Sequence, residues 1–369
     1  MHSYSQGKFT KQAHKGIPEN SYEEEQGLKG FFGPVSHLIK SKPSTNWSKI
    51  EGPLKPRAFD LTLLADKKDE QLLLYNQQVR ISSLVCKPSK EKQQIANRSA
   101  DGDLLFFCQS GSGKILTEYG LLEYSAGTYI VIPKCISYVI FPKEVSWFLS
   151  IENLNSHYQQ PDRGLLGRNA IYDIDQLGKP NLEELYIFLK EKQIEIKQIK
   201  IKHQQEHTNF FYEENIFNVT GWKGDLFPFT LSVYDLMPVM SHRVHLPPSV
   251  HSTFIAKDFV VCTFVPRPME SDKDALKVPF YHQNIDYDEV LFYHKGDFFS
   301  RDNIKPGMLT FHPAGFPHGP HPKAVKAVLD KKLTDEYAVM VDSAFPLQRA
   351  DAIKAVENKE YQNSWKSRN

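Results

Sequence analysis

No charge of one sign dominates this chain: 45 Lys and Arg stand against 44 Asp and Glu, a formal net charge of +1. A nucleic-acid binder would show a basic excess and a disordered acidic tail an acidic one, so a small-molecule substrate is the expectation. Long apolar runs are also missing. The longest in the C-terminal half, residues 259–265, is far below the ~20 residues that cross a bilayer. The opening Met1-His2-Ser3-Tyr4-Ser5-Gln6 has no apolar stretch of the signal-peptide kind. The chain therefore reads as cytoplasmic, with neither membrane nor nucleic acid as a partner. Cysteine is scarce: Cys86, Cys108, Cys135 and Cys262 are scattered without CxxC spacing. Each lies beside apolar or β-branched residues, which predicts buried free thiols.

Histidine is where the composition becomes informative. Eight of the 14 histidines fall between His242 and His321, where an even spread would put about three, so metal chemistry is to be sought there. At 369 residues the chain can build two β-barrel-sized units. Residues 1–60 read as irregular. From about Gln71 to Pro142, short β-branched and aromatic runs between Gly, Pro and Asp predict strands of a barrel or sandwich. Between about Asn181 and His207, Leu182, Leu185, Phe188, Leu189, Ile194, Ile196 and Ile199 among Glu, Lys and Gln fit a helical or charged connecting segment. A second strand series runs from Phe229 to Phe345, and residues 349–367 are spaced like a surface helix. The expected domains are 1–165 (N-terminal segment and a metal-free β domain), 166–207 (linker) and 208–369 (C-terminal metal-binding domain).

The most informative stretch runs from Phe280 to Gly296. It places His282, then six residues, then Glu289 opening an apolar strand, then a turn glycine. About twenty residues on, Lys305-Pro306-Gly307 leads a strand that ends at His312 and continues to His318 and His321. A hairpin lets His282 and Glu289 face one interior while a later strand brings His318 opposite. Two imidazoles and one carboxylate form the facial triad of non-haem iron(II) oxygenases, which leaves open sites for substrate and O₂. Strand alternation argues against His294 and leaves Asp288 as the weaker carboxylate. A lone histidine beside Pro and Gly is usually a loop residue. The order His, Glu, Gly, Pro-Gly, His, His in one β-rich segment lifts these above that reading, and it resembles a cupin motif lacking the usual His-x-His opening.

Over nearly its whole length the chain resembles the homogentisate 1,2-dioxygenase family. The resemblance rests on Tyr22-Glu23-Glu24-Glu25-Gln26-Gly27 with Gly30-Phe31-Phe32-Gly33-Pro34, on residues 217–225, on Pro279-Phe280-Tyr281-His282-Gln283-Asn284 and on His318-Gly319-Pro320. It implies an all-β bicupin, two cupin-like β-barrel domains of which only the C-terminal one binds Fe(II), to which the residue pattern adds the helical or charged connector and the C-terminal helix. The first β series, without histidine from Leu72 to Phe141, agrees. By position the resemblance makes His282, Glu289 and His318 the iron ligands and His245 the acid–base histidine. It makes His312 a catalytic and pocket-lining histidine, and Asn284, Tyr293, Phe298 and His312 the substrate-binding residues. His242, His251 and His321 are expected at the surface or behind the site.

The implied activity is extradiol-type ring cleavage of a small aromatic dihydroxy acid by O₂. It would open homogentisate to maleylacetoacetate, as in tyrosine and phenylalanine catabolism, in a homotrimer or homohexamer. Three departures bear on the substrate: six residues rather than five separate His282 from Glu289, Gln283 stands where Arg is common, and Phe298 stands where members place a substrate-contacting tyrosine. Arg301 or Arg243 is then the expected carboxylate partner. Gentisate or another dihydroxy aromatic acid is the alternative substrate. A non-oxygenase metal cupin and a non-catalytic binder are the alternative classes.

Overall fold

β-Branched and aromatic runs punctuated by Gly, Pro and Asp become strands along most of the chain, because such side chains fill a pleated, half-buried surface well. The computed structural model describes residues 4–277, 279–321, 324, 328 and 331–365. They form two compact units. The first comprises the described parts of Met1–Leu61, Met237–Leu347 and Lys354–Asn369, and the second Thr62–Leu236 with Gln348–Ile353. Each has a pair of sheets in the jelly-roll arrangement of a cupin, so the all-β, two-unit class holds while neither unit is a closed barrel. Among the described residues no helix is long and apolar enough to cross a membrane.

In the first unit, β1 (Tyr22–Gly27), β2 (Val35–Lys40) and β3 (Arg57–Asp60) come from a segment that reads as irregular in the sequence. The second unit has nine strands from β4 (Gln71–Tyr75) to β12 (Ser146–Asn153). They are followed by helix α1 (Leu182–Lys192), β13 (Glu195–His203), β14 (Glu206–Phe211) and β15 (Phe229–Ser232). Its core packs Phe106, Ile115, Leu122, Ile130, Ile132 and Phe148. The first unit resumes with β16 (Ser252–Ile255), β17 (Phe259–Phe264), β18 (Tyr281–Asn284), β19 (Asp288–Asp297), β20 (Met308–His312) and β21 (Asp335–Ser343). β22 (Gln348–Arg349) belongs to the second unit and β23 (Glu357–Asn358) to the first. The sheets of the first unit run β16-β17-β21-β19-β20-β3-β23 and β18-β1-β2.

The expected domain boundaries are therefore corrected. Residues 4–61 belong with the C-terminal strands, since β1 pairs with β18 and β3 with β20, contacts across more than two hundred residues that no local pattern reveals. Residues 166–207 are part of the second unit. Only 182–192 of that stretch is α-helical; Ile196 and Ile199 lie in β13. The register slips between Ile196 and Gln198, so the extra residue puts both isoleucines in the core three positions apart and imitates a helical period. The tail is not one surface helix either. A short helix (Asp351–Ala355) gives way to β23, held on β3 and by an Arg57–Glu357 ion pair, and then to a 3₁₀ turn, Tyr361–Trp365, whose two aromatic ends are buried. Lys366 and Ser367, the end of the expected helix, lie outside the described residues.

All four cysteines are free, but Cys135 is exposed, in the turn after β10 (Thr128–Ile132). Burial pushes the Cys86 and Cys108 thiols up to about 12, which leaves only about one thiolate in 10⁴ at pH 8. Iodoacetamide at pH 8 is thus expected to label Cys135 alone in the folded protein and the other three only after denaturation. Fast native labelling of Cys86 or Cys108, read by mass spectrometry, would contradict this packing.

Candidate metal centre

The site begins with a backbone clamp. His282 N–H donates to His318 O, and His318 N–H to His282 O, both at 2.9 Å, which locks β18 to the loop after β20. Gln283 pins the same loop by donating to Gly315 O at 2.7 Å. The His282 and His318 rings stand 4.0 Å apart between centroids. Each points its Nδ1 at the carbonyl two residues back, Phe280 O at 3.2 Å and Phe316 O at 2.9 Å. A proton placed on Nδ1 by those carbonyls leaves both Nε2 lone pairs free to face inward. Residues 285–287 turn the chain into β19, whose Glu289 faces the two rings. Glu289 Oε2 lies 3.2 Å from His318 Nε2 and 3.6 Å from His282 Nε2.

Glu289 is held from behind, because its Oε1 lies 2.8 Å from His312 Nδ1 across the β19–β20 pairing. Burial opposes its ionisation, yet the charge of His318 and contacts with His282, His312 and His318 outweigh it and hold the carboxyl well below its usual range. Burial also lowers His318, and it depresses His312 to about 3 with help from His318. A bound metal requires the Glu289 carboxylate ionised and would take over the stabilising positive charge. Asp342, paired with Glu289 from β21, is pushed well above its ordinary value by burial and then by that carboxylate. Asp288, the weaker sequence candidate, faces away and accepts the backbone N–H groups of Ala314 and Leu347 at 2.7 Å each.

The donor set fits a divalent ion. Ligand atoms at about 2.1 Å from one ion stand about 3 Å apart at right angles, close to the separations found, and His282 Nε2 is buried without a hydrogen-bond partner. A cleft opens on this cluster, lined among others by His245, Phe280, His282, Glu289, Arg267 and Arg301. His245 is buried with its Nδ1 3.3 Å from Glu270 Oε1 and its Nε2 unpartnered. Burial depresses its pKa to about 4 despite that carboxylate, so it is a neutral base at pH 7.

Other expected residues fall elsewhere. His312 touches Glu289 from the far side, beside Tyr361, and does not line this cleft. Tyr293 is buried with its hydroxyl 3.1 Å from Thr310 Oγ1, and Phe298 packs edge-on against it at 4.8 Å. Neither lines the cleft; the chain turns after Phe298 and presents Phe299, Ser300 and Arg301. Asn284 is buried on the His282 face of β18, its amide atoms unpartnered, and is not a lining residue either. His251 lines the cleft against Arg267, His321 is buried, and His242 is exposed. Arg243 is mostly exposed, 3.7 Å from Asp272, and absent from the lining. Glu270, Arg267 and Tyr361 carry no spacing signal in the sequence. In the second unit a hollow of about 620 Å³ is lined by a single histidine, His207, and a larger one of about 850 Å³ by none.

Residues 45–236 match the family profile described as homogentisate 1,2-dioxygenase N-terminal, and residues 232–369 the corresponding C-terminal profile. The chain belongs to the homogentisate 1,2-dioxygenase family. A protein of Saccharolobus solfataricus, whose name gives a provisional dioxygenase and no substrate, is 31% identical over 98% of both chains. Homogentisate 1,2-dioxygenase of Caenorhabditis elegans is 27% identical over 65% of this chain and 55% of its own length. That of Homo sapiens is 24% identical over 82% and 72%. A cupin-2 barrel protein from Leptotrichia buccalis, a solved structure, aligns at 11% identity over 80% of this chain and 99% of its own with a TM-score of 0.34, too slight a likeness to argue from.

In this homogentisate dioxygenase relative, the His312–Glu289 contact generates a prediction. His312→Gln is expected to weaken divalent-metal affinity 10–100-fold while leaving the fold intact, as loss of a group orienting a ligand does elsewhere. Competition against a colorimetric chelator measures it. An unchanged affinity would remove His312 from any role in holding Glu289.

Proposed function

We propose that the chain is an iron(II)-dependent, extradiol-type ring-cleaving dioxygenase that opens homogentisate to maleylacetoacetate, incorporating both atoms of O₂. The observation that carries this reading is the convergence of His282, Glu289 and His318 on one buried centre, with a neutral base and two arginines in the adjoining cleft. His282 Nε2, His318 Nε2 and a Glu289 oxygen would hold the iron. When bound, the metal supplies the redox chemistry that joins an electron-rich dihydroxy ring to O₂.

The chain's own side chains account for the rest. His245 Nε2 takes the proton of the ring hydroxyl beside the scissile bond, and Glu270 behind Nδ1 keeps the ring oriented. Arg301 anchors the substrate carboxylate: it is half-buried in the cleft, its buried Nε has no partner, and its Nη1 reaches backbone carbonyls only at 3.4 Å. A guanidinium suits that task because it binds a carboxylate in bidentate fashion. Phe280 and Leu291 supply the apolar wall. Gentisate or another dihydroxy aromatic acid is the alternative substrate. The family's homotrimer or homohexamer is the assembly we propose with it.

The test is O₂ uptake by anaerobically purified, iron(II)-loaded protein given homogentisate, with maleylacetoacetate absorbance followed in parallel. Uptake with matched product is expected in the wild type and is expected to vanish in His318→Ala. His245→Gln is expected to lower kcat by 10²–10⁴, the usual contribution of a positioned base, and Arg301→Met to act mainly on KM. Iron binding without homogentisate-dependent uptake would sink the substrate assignment, and the gentisate arm would then decide whether ring cleavage survives.

A further inference from the structure

A second cluster of the same kind lies in the first unit, on residues to which the dioxygenase reading gives no role. β1 is a strand of glutamates, and alternation puts Glu23 and Glu25 on one face. Both are buried, with side chains 1% and 2% exposed. Facing them are His14, 3% exposed, and His37 of β2, 23% exposed. Glu23 Oε1 lies 3.1 Å from His37 Nδ1, and Glu23 Oε2 lies 3.3 Å from His14 Nδ1 while accepting the His14 backbone N–H at 2.9 Å. His14 Nε2, on the other edge of the ring, is 2.9 Å from Glu25 Oε2.

Three observations point to a cation. Donor atoms of His14, Glu23 and His37 all fall within 4.8 Å of one another, as do those of His282, Glu289 and His318. His14 Nδ1, Glu23 Oε1 and His37 Nδ1 are nevertheless buried without a hydrogen-bond partner, so they converge without bonding each other; in the first cluster His282 Nε2 does the same. Finally, two carboxylates this deep demand compensating positive charge. The backbone agrees with a built site: His14 sits at φ 60°, a left-handed conformation costly for histidine, and its carbonyl is tied to Leu276 N–H at 2.7 Å.

We propose that His14 Nδ1, Glu23 and His37 Nδ1 form a second, mononuclear site for a divalent transition metal, zinc or iron(II), with Glu25 holding His14 from behind. The arrangement repeats a recurrent pattern in which a ligating histidine presents its other ring nitrogen to a carboxylate. Two imidazoles and a carboxylate select borderline transition metals over calcium or magnesium. The site is separate from the first: His37, Glu25 and His282 are paired across β2, β1 and β18, so two strand spacings, about 10 Å, divide His37 from His282. Its role is structural. The ion fastens the turn at residues 12–15 and the β1–β2 hairpin together, beside the strand that carries His282.

The experiment counts metal on the full chain. Protein reconstituted with Co²⁺ or Zn²⁺ and desalted is measured by elemental analysis, with visible cobalt bands as a second readout. Wild type is expected to hold two equivalents, His318→Ala one, His37→Ala one and the double variant none. Glu23→Gln, nearly isosteric, repeats the single loss if His37→Ala unfolds, which circular dichroism reports. Wild type at one equivalent, lost in His318→Ala and kept in His37→Ala, would overturn the second site and leave the dioxygenase reading standing. Two equivalents retained in both His37→Ala and Glu23→Gln would overturn it as well. One equivalent lost only in His37→Ala and Glu23→Gln supports the second site and removes the ligand assignment at His282, Glu289 and His318.

Discussion

The reciprocal backbone pair between His282 and His318 is the constraint on which the candidate metal centre depends. Two hydrogen bonds fix the separation of two imidazoles that lie on different parts of the chain. The same peptide segments supply the carbonyls that choose each imidazole's tautomer. Position and tautomer are thereby set by main chain, a firmer support for such a constellation than side chains alone. Glu289 then needs only the ordinary alternation of β19 and a push from His312 to complete the set.

Around that centre the molecule keeps its charges buried in matched groups. Glu289 is balanced by imidazoles, Asp288 by two backbone N–H groups and Glu23 by His14 and His37. Asp342 is pushed up by burial and by its carboxylate neighbour, and burial raises Glu336 and, despite its two backbone donors, Asp288 as well. The arginines of the cleft differ again. Arg267 is engaged with His251, whereas Arg301 has a guanidinium nitrogen without a partner. An unsatisfied buried donor costs free energy unless a ligand completes it, which is why Arg301 and not the exposed Arg243 suits a substrate carboxylate.

Local pattern made the strands and the triad legible, because alternation and turn residues act over a few positions. His282, Glu289 and His318 share one short stretch, so spacing alone could nominate them. What sequence hid was pairing at long range and anything irregular. β1 and β3 read as loops because their partners lie over two hundred residues away. The bulge at Lys197 turned a strand into an apparent helix, and the tail's Tyr361 and Trp365 read as surface residues although they pack beside His312. Phe298 shows the limit of carrying roles by position, since a turn puts its neighbours into the cleft instead. Glu270 has no signal at all, and nothing local says that the glutamates of β1 are buried.

The pairing of β1 with β18 also has a consequence for how the chain is made. Gln26 and Gln283 touch across 257 positions, and a ribosome adding about 5–20 residues per second needs roughly 13–50 s to cover that distance. Until then the acidic strand has a hairpin partner in β2 but nothing on its other edge. The second unit's sheets, drawn from Thr62–Leu236 apart from the short β22, have nearly all their strands first. The nascent chain thus holds an open, negatively charged edge in waiting, and charge on an unpaired edge is what discourages neighbouring chains from adding to it.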